Sequence, residues 1–228
     1  MKTGVFGVVA AALLMCFTGV NARAQGGGDV FLGYTYMLDN FNANNFCGSS
    51  GCFVDPGRHG YNLAFAWSFN PNIAMEANFS GNHGTTTVFS STYGTSSDIG
   101  RQSSDVVTAL FGPRLTYPIG MTNFGIYTHF LVGVLHDRET FGEQCCTTSA
   151  SVNTVNFKGT GFGMKVGGGV DWHRGHWGIR ILELNYIHGD GQGTFTCSGC
   201  AGETNSGNGS AKDFQMATGV LYRWGGKK

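Results

Sequence analysis

Three close pairs of cysteines have spacing that could do chemistry: Cys47 and Cys52, Cys145 and Cys146, and Cys197 and Cys200. Thiols so placed either ligate a metal or close disulfides. A zinc reading of CSGC at 197–200 would want a second ligand pair at suitable spacing. With Cys16 set aside in the expected signal peptide, the six that remain are an even number, which in an exported chain favours disulfides instead. Cys47–Cys52 and Cys197–Cys200 are the local expectations. Adjacent Cys145 and Cys146 have Cα atoms ~3.8 Å apart, closer than ordinary disulfide geometry. A strained vicinal bridge and links to neighbouring loops both stay open there.

Other reactive side chains are scattered. HRGH at 173–176 has metal-binding residue types but falls in an expected turn, where an exposed polar segment is the plainer reading. HDRE at 136–139 leaves a strand for a loop, where its charges meet water or lipid headgroups. GTGFGMKVGGG at 159–169 lacks the G-K-[ST] ending of a phosphate loop and sits in a strand. His83, Asp98 and His188 share no spacing that marks a catalytic triad, which is defined by geometry. Neither an enzyme, a resident metal nor a cofactor is expected.

The first 24 residues are a separate element. Lys2, the apolar run Val5–Val20 and the small-x-small site Ala22-Arg23-Ala24 read as a secretory signal peptide. Its removal leaves 204 of the 228 residues, with 12 basic and 14 acidic side chains and a formal charge of −2. That balance offers no basic patch for nucleic acid. Charged residues make up 12% of the chain, about half the usual share for a soluble domain. No later segment reaches the ~18 consecutive apolar residues of a membrane helix. Low charge, 38 glycines and 18 phenylalanines together suit a transmembrane β-barrel.

Period-2 alternation supplies the elements. Tyr61, Leu63, Phe65, Trp67 and Phe69 alternate with Asn62, Ala64, Ala66 and Ser68. After Asn70-Pro71-Asn72 the pattern resumes with Ile73, Met75, Ala77 and Phe79. Eight strands are expected, at about 29–38, 59–69, 73–83, 105–117, 124–136, 160–172, 177–188 and 214–224. The seventh breaks phase: Trp177, Ile179 and Ile181 share one parity, then Leu182, Leu184 and Tyr186 the other. One extra residue near Ile181-Leu182 restores the face, so a β-bulge is expected there.

Connections alternate short and long. Short ones are expected at Asn70–Asn72, Pro118–Asn123 and His173–His176. Long ones are expected near Asp39–His59, Gly81–Ser104, Asp137–Gly159 and Gly189–Asp213. Short periplasmic turns and long outer loops are the pattern of outer-membrane barrels. Trp67, Trp172, Trp177 and Trp224, with Tyr117 and Phe124, all fall near a short turn or the chain end on the large-apolar face. They make an aromatic girdle at the periplasmic interface.

Large apolar groups outside and small or polar groups inside invert a soluble barrel. Strands in lipid must close on themselves to pair every backbone group, and eight leave a lumen that side chains fill. The inward face supplies Gly112, Gly125, Gly133, Gly161, Gly163, Gly167, Gly169 and Gly219. It also supplies Glu76, Arg114, Tyr127, His129, Lys165, Arg180, Glu183 and Arg223. A charge in a narrow lumen is costly unless paired. Glu76–Arg114 and Lys165–Glu183 contacts are therefore expected, with Arg180 joining one network. A permanent polar plug is the expected arrangement; a narrow passive, porin-like channel and a rim-located lipid-modifying enzyme are the alternatives.

The stretches VFLGYTYML, GYNLAFAWSFNPNIAMEANFSG, GPRLTYPIG, GFGMKVGGGVDW, WGIRILELNYIHGD and ATGVLYRW resemble the OmpA-like outer-membrane β-barrel proteins, the small eight-stranded kind, over about Asp29–Trp224. The resemblance implies one barrel domain at 25–228 in the cell outer membrane. It implies contact with outer-membrane lipid and lipopolysaccharide, delivery by the barrel assembly machinery, and a part in envelope integrity or adhesion toward an extracellular ligand or host surface. Two features depart from the family: no peptidoglycan-binding domain is expected after the barrel, and the chain ends RWGGKK, leaving a Gly225–Lys228 tail beyond Trp224.

Overall fold

The computed structural model describes residues 27–39, 57–91, 97–119, 123–144, 152–198 and 204–225. They form eight antiparallel strands: β1 (Gly27–Asp39), β2 (Arg58–Ser68), β3 (Ile73–Ser91), β4 (Ser97–Pro118), β5 (Phe124–Gln144), β6 (Val152–Arg174), β7 (Trp177–Ser198) and β8 (Thr204–Trp224). Each pairs with its sequence neighbours, and β1 pairs with β8, closing the barrel. Around the barrel wall closure leaves no unpaired edge. The expected signal peptide lies outside the described residues. So do Cys47, Cys52, Cys145, Cys146 and Cys200. Cys197 belongs to β7, but its side chain is likewise outside the description.

Each short turn has a local cause. Asn70 Oδ1 accepts the backbone N–H groups of Asn72 at 2.9 Å and Ile73 at 2.8 Å, an Asx turn that folds β2 onto β3. Ile119 N donates to Phe124 O at 3.0 Å where β4 returns as β5. Between β6 and β7 the turn is two residues long, and Gly175 has φ of 68°, a left-handed conformation glycine adopts without strain.

Three of the expected long loops are corrected. Pairing continues upward to Ser91↔Ser97, Gln144↔Val152 and Thr196↔Thr204. Most of Gly81–Ser104, Asp137–Gly159 and Gly189–Asp213 is therefore strand. Alternation fades in these segments because Ser, Thr, Asn and Gly dominate their sequence and break the period. Backbone pairing does not depend on an apolar face, so the strands run on. HDRE at 136–139 is accordingly part of β5 and not the start of a loop.

The bulge lies where the parity change puts it. Val170 pairs with Leu182 while Asp171 pairs with Arg180, and the β7–β8 register shifts between Arg180 and Glu183. Ile181 and Leu182 both face outward, 50% and 43% exposed. The outer surface carries large apolar side chains throughout, Leu32, Phe65, Phe130, Phe162 and Leu184 among them. The inner face is buried. From Trp224 up to Phe214 is ten residues; at ~3.3 Å per residue and a tilt of ~40° this spans about 25 Å, the apolar height of outer-membrane barrels.

Candidate functional site: a filled lumen

The bulge determines what the lumen can hold. Residues three apart on a regular strand face opposite ways. With one extra residue between them, Arg180 and Glu183 both point inward, and Arg180 Nη1 meets Glu183 Oε2 at 2.5 Å. Arg180 also grips Asp171, Nε to Oδ1 at 2.9 Å and Nη2 to Oδ2 at 3.3 Å. Its guanidinium stacks 4.2 Å from both the Phe31 and the Tyr127 ring centroids, and Arg114 lies 4.4 Å from Tyr127. Such contacts strengthen when water is excluded.

Glu183 is the hub. Its Oε2 accepts from Arg180 and from Tyr127 Oη at 2.6 Å; its Oε1 accepts from Asn185 Nδ2 at 2.6 Å and Asn62 Nδ2 at 3.4 Å. Arg114 reaches Asp29 at 2.9 Å, Asp171 at 3.2 Å and Glu76 at 3.8 Å. His129 stands between Glu76 Oε1 at 3.2 Å and Asn185 Oδ1 at 2.9 Å. Lys165 Nζ donates to Asn78 Oδ1 at 2.8 Å and Gln215 Oε1 at 3.0 Å. Every strand contributes to this network. Asp29, Glu76, Asp171 and Glu183 are balanced there by Arg114, Lys165, Arg180 and the inward, half-buried Arg223. Arg223 Nη2 lies 3.0 Å from His173 Nε2 at the short-turn end.

The expected Glu76–Arg114 contact is thus present, and Arg180 does join its network through Asp171. Lys165 and Glu183 do not meet. The β6–β7 register pairs Lys165 with Ile187, whereas Glu183 pairs with Gly169, four residues lower. Asn78 and Gln215 take the ammonium instead. The parts overlooked are Asp29, Asp171, Asn62, Asn78, Asn185 and Gln215, each inward by parity, a signal present in the alternation itself.

Toward the top of this network apolar side chains also enter the lumen. Met37, Val106, Leu135 and Ile187, all buried, form a cluster drawn from four strands. The glycines make room for it: a Cβ on Gly163 would come 3.0 Å from Leu135 Cβ, and one on Gly189 2.9 Å from Leu135 Cδ1. Lower down, a Cβ on Gly169 would come 2.9 Å from Tyr127 Oη. Beside the apolar cluster, buried Arg58, the register partner of Met37, donates to Met37 Sδ at 3.7 Å and reaches Glu139 at 3.5 Å and Asp213 at 3.7 Å, a second charged group that sequence reasoning missed because 137–159 read as loop.

On the outside, the girdle residues gather at the short-turn end. Phe124 is the register partner of Trp172. Trp177 packs edge-on to Tyr222 with centroids 5.0 Å apart, and Trp224 lies 5.5 Å from Phe65. Trp67 and Tyr117 are exposed on the same rim.

The solved structure of outer membrane protein OprG from Pseudomonas aeruginosa superposes on this chain with a TM-score of 0.50, at 12% identity over 87% of this chain and 96% of that one. The fold is that of the outer-membrane β-barrels. Ail, the attachment invasion locus protein of Yersinia pestis, solved with the heparin analogue sucrose octasulfate, gives 0.49 at 13% identity over 87% of this chain and 99% of that one. The outer membrane protease OmpT of Escherichia coli gives 0.47 at 10% identity over 91% and 99%. No family model and no curated protein sequence matches the chain.

Proposed function

We propose that this chain is an exported, OmpA-like outer-membrane barrel whose lumen is permanently filled, and whose work is done at the surface by its upper hairpins. The observation that carries the reading is the filled lumen. A charged network fed by all eight strands occupies it, and the Met37–Val106–Leu135–Ile187 cluster and the Arg58–Glu139–Asp213 charges fill the part above. An ion would have to break paired buried charges to pass. The barrel is then an anchor, and the extended hairpins are paired stalks that carry polar tips away from the lipid. On this reading residues 1–24 are cleaved, and Cys47–Cys52 and Cys197–Cys200 brace two of the tips.

Replacing 86–102, 141–154 and 192–208 with short turns tests the assignment. We expect the shortened barrel to keep its heat-modifiable gel mobility while the cells displaying it lose attachment to host-type surfaces. Unchanged attachment would remove the surface role. Unit conductance in planar bilayers from the full chain would remove the plug and favour a narrow channel.

One arrangement favours a rim-located enzyme as a second reading. Asp105 Oδ1 lies 2.6 Å from His83 Nδ1, and His83 Nε2 lies 3.4 Å from Thr85 Oγ1. An acid that orients an imidazole beside a hydroxyl is the order needed for acyl transfer. The imidazole is 63% exposed on the outer face, which suits a surface ion pair better. Thr85→Ala should leave ester hydrolysis at background; loss of a measured hydrolytic activity in that variant would establish the enzyme.

A further inference from the structure

The outer face of the β5–β6 ladder changes character in three successive rows. Val134 pairs with Phe162, His136 with Thr160, and Arg138 with Lys158. The lowest row is apolar and turned outward, Val134 52% and Phe162 56% exposed. The middle row is polar and self-satisfied, His136 Nδ1 lying 2.7 Å from Thr160 Oγ1. The top row is two exposed cations side by side. Rows on one face are two residues apart, so the cations stand about 13 Å along the strands above the last apolar pair.

Like charges directly opposite across a ladder repel. Among the described residues neither cation has an acid within ion-pair distance. Asp105 is the register partner of Arg138 on its other side, but its carboxylate holds His83 at 2.6 Å. Thr194 is the register partner of Lys158 on its other side. Two adjacent donors with this repulsion are relieved by a shared anion, and a guanidinium fork beside an ammonium suits a phosphate. A free anion would have no use for the apolar row below. An amphiphile would match the whole column: acyl chain on Val134 and Phe162, polar backbone at His136 and Thr160, phosphate at the top.

We propose that the Arg138–Lys158 row clasps the phosphate of an outer-leaflet lipid headgroup, with the Val134–Phe162 row against its acyl chain. The proposal rests on the outer-membrane placement, and names the lipid chemistry that placement would meet. It does not depend on what the hairpin tips bind.

The test uses the refolded full chain in neutral detergent micelles, titrated with fluorescent diphosphoryl lipid A, with its dephosphorylated counterpart, and with inorganic phosphate as competitor. Wild type should bind the phosphorylated lipid over the dephosphorylated one, and inorganic phosphate should not displace it. Arg138→Gln/Lys158→Gln should bind about thirtyfold more weakly, from two headgroup-level cations lost. Arg174→Gln, which removes an exposed cation at the opposite end, should bind like wild type. Heat-modifiable mobility of each variant verifies the fold. Equal binding of the two lipids, undiminished binding by the double variant, or displacement by inorganic phosphate would each overturn the proposal. A wild-type chain that folds in buffer without detergent and binds neither lipid would overturn the outer-membrane reading along with it.

Discussion

Replacing Arg180 by alanine leaves Asp171 and Glu183 buried without their main cation, and the Phe31 and Tyr127 rings without the group stacked on them. We expect a loss of about 3–5 kcal/mol, the cost of breaking a buried pair from one side, read as a lower urea midpoint in lipid vesicles. Arg180→Met with Glu183→Gln should cost less than the two single changes added together, because the double variant leaves no orphaned partner. An additive double variant would mean that the two residues do not act as a pair. At Gly169 the argument is steric. A leucine there meets the Tyr127 ring, and we expect about 1–3 kcal/mol of destabilisation from overpacking, with a shift in near-ultraviolet circular dichroism as the tyrosine moves.

The strands as elements explain what the sequence displayed and what it hid. Alternation within the apolar band told inside from outside at Tyr61–Phe69 and Ile73–Phe79, and one parity slip located the bulge at Ile181-Leu182. The upper halves of β3 to β8 were hidden because a sequence rich in Ser, Thr, Asn and Gly carries no period, although the backbone there pairs across each hairpin. The network was legible as a list of inward charges. Its partners were not, because register and barrel stagger decide which inward residues share a height; Lys165 against Asn78 and Gln215 is the case in point. Two element-scale outcomes follow. Deleting Ile181 leaves Arg180 and Glu183 two residues apart with Leu182 between them, so strict alternation keeps both inward and the refolded chain should keep its heat-modifiable band; loss of the band would mean that the bulge itself is required. Val166→Arg, on the outer face six residues from Trp172, should cost about 2–4 kcal/mol, the range for a cation near the bilayer midplane; little change in the vesicle unfolding midpoint would remove Val166 from the lipid face.

The whole molecule is an inverted container, with paired charges and glycines held inside and bulky apolar groups held out. A closed sheet permits this because the lumen is narrow enough for four acids and four bases to find one another. The outside needs only an apolar band about 25 Å tall and an aromatic rim. All four tryptophans of the chain, Trp67, Trp172, Trp177 and Trp224, lie on that rim at the short-turn end. The unmodified protein can therefore report its own orientation. In vesicles of lipids brominated at defined acyl positions, quenching of the native tryptophan fluorescence should be strongest for bromines nearest the headgroup and fall toward the bilayer centre, with weak quenching by aqueous iodide. Strong iodide quenching with no effect of any brominated lipid would contradict the account, because the bulky outer face would then be meeting water.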